Sequence, residues 1–562
     1  VYAITKDPKL DELMDRFIRV VGMAQREDGY IHTATIIAHK NNPGSKTGFE
    51  ERLHFETYNM GHLMTAACVH HRATGKRTML DIAIKTADFL YNFYKTATTE
   101  LARSAICPSH YMGVVEMYRE TRDPRYLELS KSLIDIRGMV DNGTDDNQDR
   151  VPFREQKTAM GHAVRANYLY AGVADVYLET GDKTLLDCLH PIWDDVTQRK
   201  MYITGGCGAL YDGTSPDGTC YQPDSIQKVH QSYGRAFQLP QETAHNETCA
   251  NIGNMLWNYR MLALSADPKY MDVLEQTLYN SVLSGISIDG KKYFYTNPLS
   301  RNSEFPYQLR WGNYRQEYIT CFCCPPNTVR TIAEAQNYAY TLSDEGIYCN
   351  LYGSNRFEGK TPKGAKLVIS QTTDYPWDGQ ISLTIEATGK DPYSIFLRIP
   401  GWAKEAQIKV NGQTETVAAK PGTYAQINRK WKKGDRVELN FPMRARLMEA
   451  NSLVEETRNQ VAVMYGPLVY CLESTDLPTG VSVFDISLPA NIQLAPEKLN
   501  IEGHHILSLK GNAYLTVRDN DDQRLYREIN TEKKSIPVRL IPYYAWGNRD
   551  NPDMSVWLPL SR

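Results

Sequence analysis

Two short segments concentrate the residues able to do chemistry: HNETCANIGN at 245–254 and CFCCPPN at 321–327. They bring a carboxylate, clustered thiols and a Pro-Pro-Asn turn into one region of the chain. Thiolates, carboxylates and imidazoles are the usual ligands of Zn²⁺, and a closed four-ligand set has to be assembled from separate segments by the fold. Glu247, Cys249, Cys323 and Cys324 supply one such set. Adjacent cysteines bridge each other only with strain, so a Cys323–Cys324 disulfide is disfavoured. Pairing of either with Cys249 or Cys321, or a purely structural zinc, stays open on residue types alone.

The rest of the composition narrows the partner. The 63 Lys+Arg nearly cancel the 66 Asp+Glu and no long run of one sign occurs, which argues against nucleic acid and against a polybasic membrane surface. The 36 Tyr against 14 Phe favour polar clefts such as sugar sites, because Tyr joins a flat apolar face to a hydroxyl. No stretch approaches the roughly 20 apolar residues of a spanning helix. Eleven cysteines are too few for a disulfide framework in a chain this long. The first residue is Val1 rather than Met, which permits a removed leader and a periplasmic or secreted location, with a cytoplasmic one also open.

The elements that must position these groups change texture part-way along the chain. At 562 residues, two or more packed domains are expected. From about Asp11 to Tyr340 the apolar spacing is helical, with amphipathic runs at Leu10 to Val21, His62 to His71, Met79 to Tyr94 and His162 to Leu178. Four turns punctuate it: ATGKRTMLDIA (73–83), ETRDPRYLELS (120–130), ETGDKTLLDCL (179–189) and SADPKYMDVLE (265–275). Gly or Pro with Asp in each supplies a stop, a tight turn and the next N-cap, as helix hairpins require. Hairpins of this kind bury their inner faces by closing into a ring, so an α/α toroid over 1–347 is expected, with an open solenoid as the alternative. The irregular insert from Tyr202 to Thr243 is the type of segment that carries sites.

Beyond about Tyr348 the pattern alternates in short runs: KLVISQT (366–372), QISLTIEAT (380–388), SIFLRIP (394–400), AQIKVNG (406–412) and RVELNFP (436–442). This predicts a β-sandwich over 348–475. Further strands at 460–473 and 535–544 predict a C-terminal β domain, or a continuation of the sandwich, over 476–562.

Taken together, YNMGHLMTAA (58–67), GHAVRANYLYAG (161–172), YITGGCG (202–208), LPQETAHNETCANIGN (239–254), LYNSVLSG (278–285), YFYTNPL (293–299) and CFCCPPN (321–327) resemble glycoside hydrolase family 127, the β-L-arabinofuranosidase family. The resemblance implies a mainly α protein with a C-terminal all-β part, an (α/α)6 barrel followed by β-sandwich domains. It implies a retaining hydrolase of terminal furanosyl sugars, acting on oligosaccharides of plant pectin or glycoprotein glycans. Glu247, Cys249, Cys323 and Cys324 then hold Zn²⁺, with Cys323 as the nucleophile. His62, His162 and Tyr295 line the sugar subsite and Glu275 lies near it; His110 is a further candidate. A homodimer is compatible with this reading.

One position departs from the family pattern. The acid/base Glu falls here on Gln231, in HQSYGRAFQLP (230–240). An amide cannot donate and recover a proton near neutral pH, a loss of about 10²–10⁴-fold if nothing replaces the carboxyl. An introduced substitution, a degenerate sugar binder, or a substrate carrying its own carboxyl each explain this. The intact thiol and carboxylate set favours the last, an acidic branched furanose such as aceric acid. The competing functions are a carbohydrate-binding protein with structural zinc and another α/α-toroid enzyme such as a polysaccharide lyase.

Overall fold

The computed structural model describes the chain except residues 46–47, 50–53, 97, 100–108, 141–142, 215–227, 307, 518–524, 527, 529–531 and 562, and except the side chains of 109, 110 and 214. The side chain of His110 therefore lies outside the described residues. Two compact units emerge, one of Val1–Lys200 with Cys207–Ala236, the other of Met201–Gly206 with Phe237–Arg562.

The first unit is helical: α1 (Tyr2–Thr5), α2 (Pro8–Ala24), α3 (Thr33–Asn41), α4 (Glu56–Thr74), α5 (Thr78–Tyr94), α6 (Ser109–Thr121), α7 (Pro124–Asp135), α8 (Ala163–Thr180) and α9 (Lys183–Asp195). Its turns follow the expected chemistry. Gly75 and Gly181 close α4 and α8 in the left-handed region. Asp123 and Asp182 open α7 and α9 by accepting from the backbone N–H of Arg125 (3.0 Å) and Thr184 (3.1 Å). Close helix packing depends on small residues: a Cβ on Gly113 would meet the Gly61 carbonyl oxygen at 2.4 Å, so α4 and α6 touch backbone to backbone. Within the insert, β1 (Leu210–Thr214) pairs antiparallel with β2 (Lys228–Ser232).

The second unit begins with α10 (Thr248–Ser265) and α11 (Pro268–Thr277), the fourth expected hairpin, with Asp267 accepting from Lys269 N–H at 3.0 Å. Helix α12 (Cys324–Glu334) follows. A six-stranded sheet (ordered 413–414, 407–410, 436–440, 380–387, 366–373, 355–360) and a four-stranded sheet (423–429, 393–399, 346–349, 340–342) come next. Alternation dictates their packing: Ile381, Leu383 and Ile385 from the first sheet and Ile347, Ile395 and Leu397 from the second share one buried core, the expected sandwich. The Asn411-Gly412 turn, with φ of 54° and 80°, forms the expected hairpin. A ten-stranded sheet takes strands on both sides of position 475, including 445–448, 460–465, 468–473, 504–516 and 533–542, around its own core of Val463, Leu472, Leu509, Val538 and Leu540. Helices first and sheets after is the expected fold class. Among the described residues no helix is long and apolar enough to cross a membrane.

Candidate active site

In the second unit, the segments 245–248 and 294–297 are zipped together. Thr248 N–H donates to the Tyr295 carbonyl (3.0 Å), Asn246 Nδ2 to the Asn297 carbonyl (2.8 Å), and Asn297 Nδ2 to Thr248 Oγ1 (3.0 Å). This fixes Glu247 as the N-cap of α10 and places Cys249 in its first turn. Cys323 is the N-cap of α12 and Cys324 its first residue, with Pro325 and Pro326 in the first turn, where their missing N–H groups cost nothing.

The four donors of Glu247, Cys249, Cys323 and Cys324 lie within 4.8 Å of one another. Cys249 Sγ is 3.3 Å from Cys324 Sγ, and Cys323 Sγ is 3.8 Å from Cys324 Sγ. Both sulfurs of the adjacent pair lie 3.8 Å from Glu247 Oε1. Two thiolates on one tetrahedral Zn²⁺, at about 2.3 Å each, stand roughly 3.8 Å apart, so the set fits a metal ion. All four cysteine thiols of this region, Cys321 included, are free. Cys321 stands outside the ligand set and accepts from the Tyr295 hydroxyl at 3.8 Å.

Groups around the ligands orient them, a feature that ligand spacing alone does not reveal. Asn327 Nδ2 donates to Cys249 Sγ at 3.2 Å, which explains the Asn of the CCPPN motif. His245 Nε2 lies 3.4 Å from Glu247 Oε2, and the Tyr295 ring stacks on Trp311 with centroids 3.9 Å apart. Burial pushes the Cys249 thiol up, but hydrogen bonds from Cys323 and Cys324 outweigh it and bring it down to about 6. The bond to Cys249 pushes Cys323 up to about 11. Negative charge thus gathers on a buried sulfur beside a carboxylate, as a cation site requires.

Glu275 does not join this cluster. It is 1% exposed, its Oε1 accepts from the Tyr375 hydroxyl (2.8 Å) and pairs with the Arg398 guanidinium, which is fully buried. Arg398 also pairs with Asp272, one turn earlier on α11. Residues more than 100 positions apart in sequence thereby hold the end of α11 to the sandwich.

In the first unit, His162 Nε2 lies 2.8 Å from Gln231 Oε1. Burial, then the charges of Arg165 and His230, hold His162 well below the ordinary imidazole range. The ring is neutral and Nε2–H donates to the amide oxygen. Gln231 sits in the left-handed region at φ 49°, a conformation costing of order 1–3 kcal/mol for a non-glycine residue and one that clusters at functional positions. His62 packs edge-on against Tyr58 at 4.5 Å and Tyr168 at 6.3 Å. Asp146 was not foreseen. It accepts from His230 Nδ1 (2.8 Å) and Arg165 Nη1 (2.6 Å), and these outweigh burial to hold its carboxyl down to about 2.

The family model of the β-L-arabinofuranosidase GH127 catalytic domain matches residues 1–337, and those of the GH127 middle and C-terminal domains match 346–443 and 445–559. The chain belongs to glycoside hydrolase family 127. It is a glycoside hydrolase. A non-reducing end β-L-arabinofuranosidase of Bifidobacterium longum subsp. longum is 32% identical over 98% of this chain and 85% of its own length. A solved glycoside hydrolase is 60% identical, covers 100% of this chain and 90% of its own, and superposes with a TM-score of 0.94. A family 127 β-L-arabinofuranosidase from Geobacillus stearothermophilus T6 is 33% identical over 99% of this chain and 88% of its own, with a TM-score of 0.88. Helices followed by β domains is thus the architecture of this family 127 chain, consistent with an α/α barrel and β domains.

Proposed function

We propose that this family 127 enzyme is a retaining hydrolase of terminal furanosyl sugars, with β-L-arabinofuranose as the first candidate, and that Cys323 is its nucleophile. The observation that carries the reading is the four-donor cluster of Glu247, Cys249, Cys323 and Cys324 within 4.8 Å. Zn²⁺ suits this thiolate-rich, tetrahedral set, and when bound it keeps the thiols deprotonated near neutral pH. Cys323 is the least buried of the three cysteines in the set. As the N-cap of α12 it lies at the positive end of the helix dipole, which favours negative charge on its sulfur. Asn327 holds Cys249 and Cys324 is buried, while the family resemblance implies that the first cysteine of the adjacent pair, Cys323, attacks the anomeric carbon. Tyr295, its ring braced by Trp311, and His62 and His162 enter the proposal as sugar-binding side chains. Glu275 enters it as the residue that anchors α11 through Arg398.

A second reading, an acidic furanose such as aceric acid, is supported by Gln231, which the resemblance aligns with the family's acid/base Glu. Incubation with a mechanism-based furanosyl halide analogue tests the nucleophile, with a single sugar adduct on Cys323 expected by mass spectrometry. Tight binding without an adduct supports a carbohydrate-binding protein. Product anomer ratios by NMR test retention. Parallel assays on β-L-arabinofuranosides and aceric-acid-terminated oligosaccharides decide the sugar.

A further inference from the structure

A cavity of the second unit gathers cations that nothing neutralises. Its lining includes Trp402, Lys404, Glu405, Met443, Arg444 and Arg446, and it shares no residue with the four-donor cluster. Chain topology puts these residues together. The loop 400–406 carries Trp402 and Lys404 from one sheet of the sandwich to the other, and the connector 441–444 carries Met443 and Arg444 out of the sandwich into strand 445–448, where Arg446 stands opposite Met464. The turn at Gly466, with a left-handed φ of 55°, lets the next hairpin approach: a Cβ there would meet Met443 Cε at 2.5 Å.

Arg446 is half-buried without a counter-ion. Its Nη2 donates to the Gly466 carbonyl at 2.7 Å, its Nη1 reaches only the Met448 sulfur at 4.0 Å, a weak acceptor, and its Nε has no partner. The guanidinium lies 5.9 Å from the centroid of the Trp402 ring, and the indole Nε1 is likewise buried without a partner. Among the described residues no carboxylate pairs with Lys404, Arg444 or Arg446, although Glu405 shares the lining. Burial, then the like charge of Arg444, hold the Arg446 guanidinium below the ordinary arginine range. A buried donor left unmet and a charge left unpaired both cost stability, and an anion between the two arginines removes both costs.

We propose that this cavity is a binding site for a small oxyanion, the carboxylate of a sugar acid or inorganic phosphate, held by Arg446 and Arg444 with the exposed Lys404 adding charge. Guanidinium groups suit this role because their planar donors match carboxylate and phosphate oxygens. The size agrees. The cavity offers about 70 Å³, and one water needs about 10–15 Å³ in the same measure, so it takes an oxyanion of roughly four or five heavy atoms and leaves a sugar ring outside. The inference does not depend on the nucleophile or on the sugar cleaved.

Titration calorimetry on the zinc-loaded full chain tests it, with sodium phosphate, sodium glucuronate and neutral glucose as probes at matched ionic strength. Saturable binding of phosphate, glucuronate or both is expected at one site per chain, weakening as salt rises, and none of glucose. Arg446→Met is expected to weaken binding by about 10–100-fold, the worth of a charge-assisted hydrogen bond. Arg444→Ala, at an exposed position, gives a smaller loss in the same direction and serves as the second variant should Arg446→Met fail to fold, with circular dichroism and zinc content as controls. Glucuronate alone identifies a sugar carboxylate as the ligand, and phosphate alone a free oxyanion. Absence of binding by both anions, equal binding of glucose, or affinity unchanged in the folded variants overturns the proposal.

Discussion

His162 donates from Nε2 to Gln231 Oε1 across 2.8 Å, and it does so as a neutral ring held there by burial and by the charges of Arg165 and His230. Gln231→Glu puts a carboxylate at that distance, which favours the imidazolium form. The His162 pKa is expected to rise by about one unit or more in the variant. NMR titration of the imidazole resonances reads this directly. An unmoved His162 shows that the two side chains separate in solution.

The Cys249–Asn327 contact supports a prediction about metal affinity. Removing a group that orients a ligand costs about 10–100-fold in affinity. Asn327→Ala is therefore expected to weaken zinc binding by that factor while leaving all four ligands in place. Competition with a chromophoric chelator measures it, with one zinc per chain expected in the wild-type protein. Because thiol ligands must lose protons to bind, the same competition is expected to favour the chelator as pH falls. Affinity that ignores both the substitution and pH refutes the assignment of this cluster as the zinc site.

The buried Glu275–Arg398 pair makes a stability prediction. Arg398→Met leaves the Glu275 and Asp272 carboxylates facing an apolar chain, and losing one partner of a buried pair typically costs about 3–5 kcal/mol. A marked fall in the denaturation midpoint is expected. Adding Glu275→Gln recovers part of it, since the uncompensated charge is gone. No recovery in the double variant shows that Arg398 acts through packing alone.

Asp146 makes the acid limit of the first unit predictable. Its folded carboxyl is held down to about 2 from an ordinary 3.8, a depressed pKa. The corresponding stabilisation, about 2 kcal/mol, is fully present above about pH 5 and is lost as pH falls through 3.8 toward 2. The stability gap between wild type and Asp146→Asn is expected to narrow across that window. Urea denaturation at a series of pH values checks it, and a constant gap rules the linkage out.

The Gly61–Gly113 approach is a simpler test of helix packing. A Cβ at Gly113 meets backbone at 2.4 Å, so Gly113→Ala is expected to force α4 and α6 apart and to lower the thermal midpoint. An unchanged midpoint shows that the helices are not so closely packed in solution.

Much of this was legible in the sequence because it is local or compositional. The Asp caps at 123, 182 and 267 and the Gly stops at 75 and 181 act within a few residues, so their turns could be read before any tertiary structure was known. The strands at 366–373, 380–387 and 393–399 follow from period-two alternation over one buried face. The ligands Glu247, Cys249, Cys323 and Cys324 were nameable because thiols beside a carboxylate have few structural uses.

Tertiary structure alone decided what depends on distance through space between residues far apart in the chain. That Glu275 pairs with Arg398, 123 residues later, cannot be read from either segment alone. Asp146 is unremarkable among neighbouring acids until its oxygen is found on His230, 84 positions away. The left-handed backbone at Gln231 follows no local rule, since glutamine has no preference for it. From the sequence came the reactive atoms and the elements that carry them. Their protonation, their partners and the departure at Gln231 depend on burial and close approach, which exist only once the chain has folded.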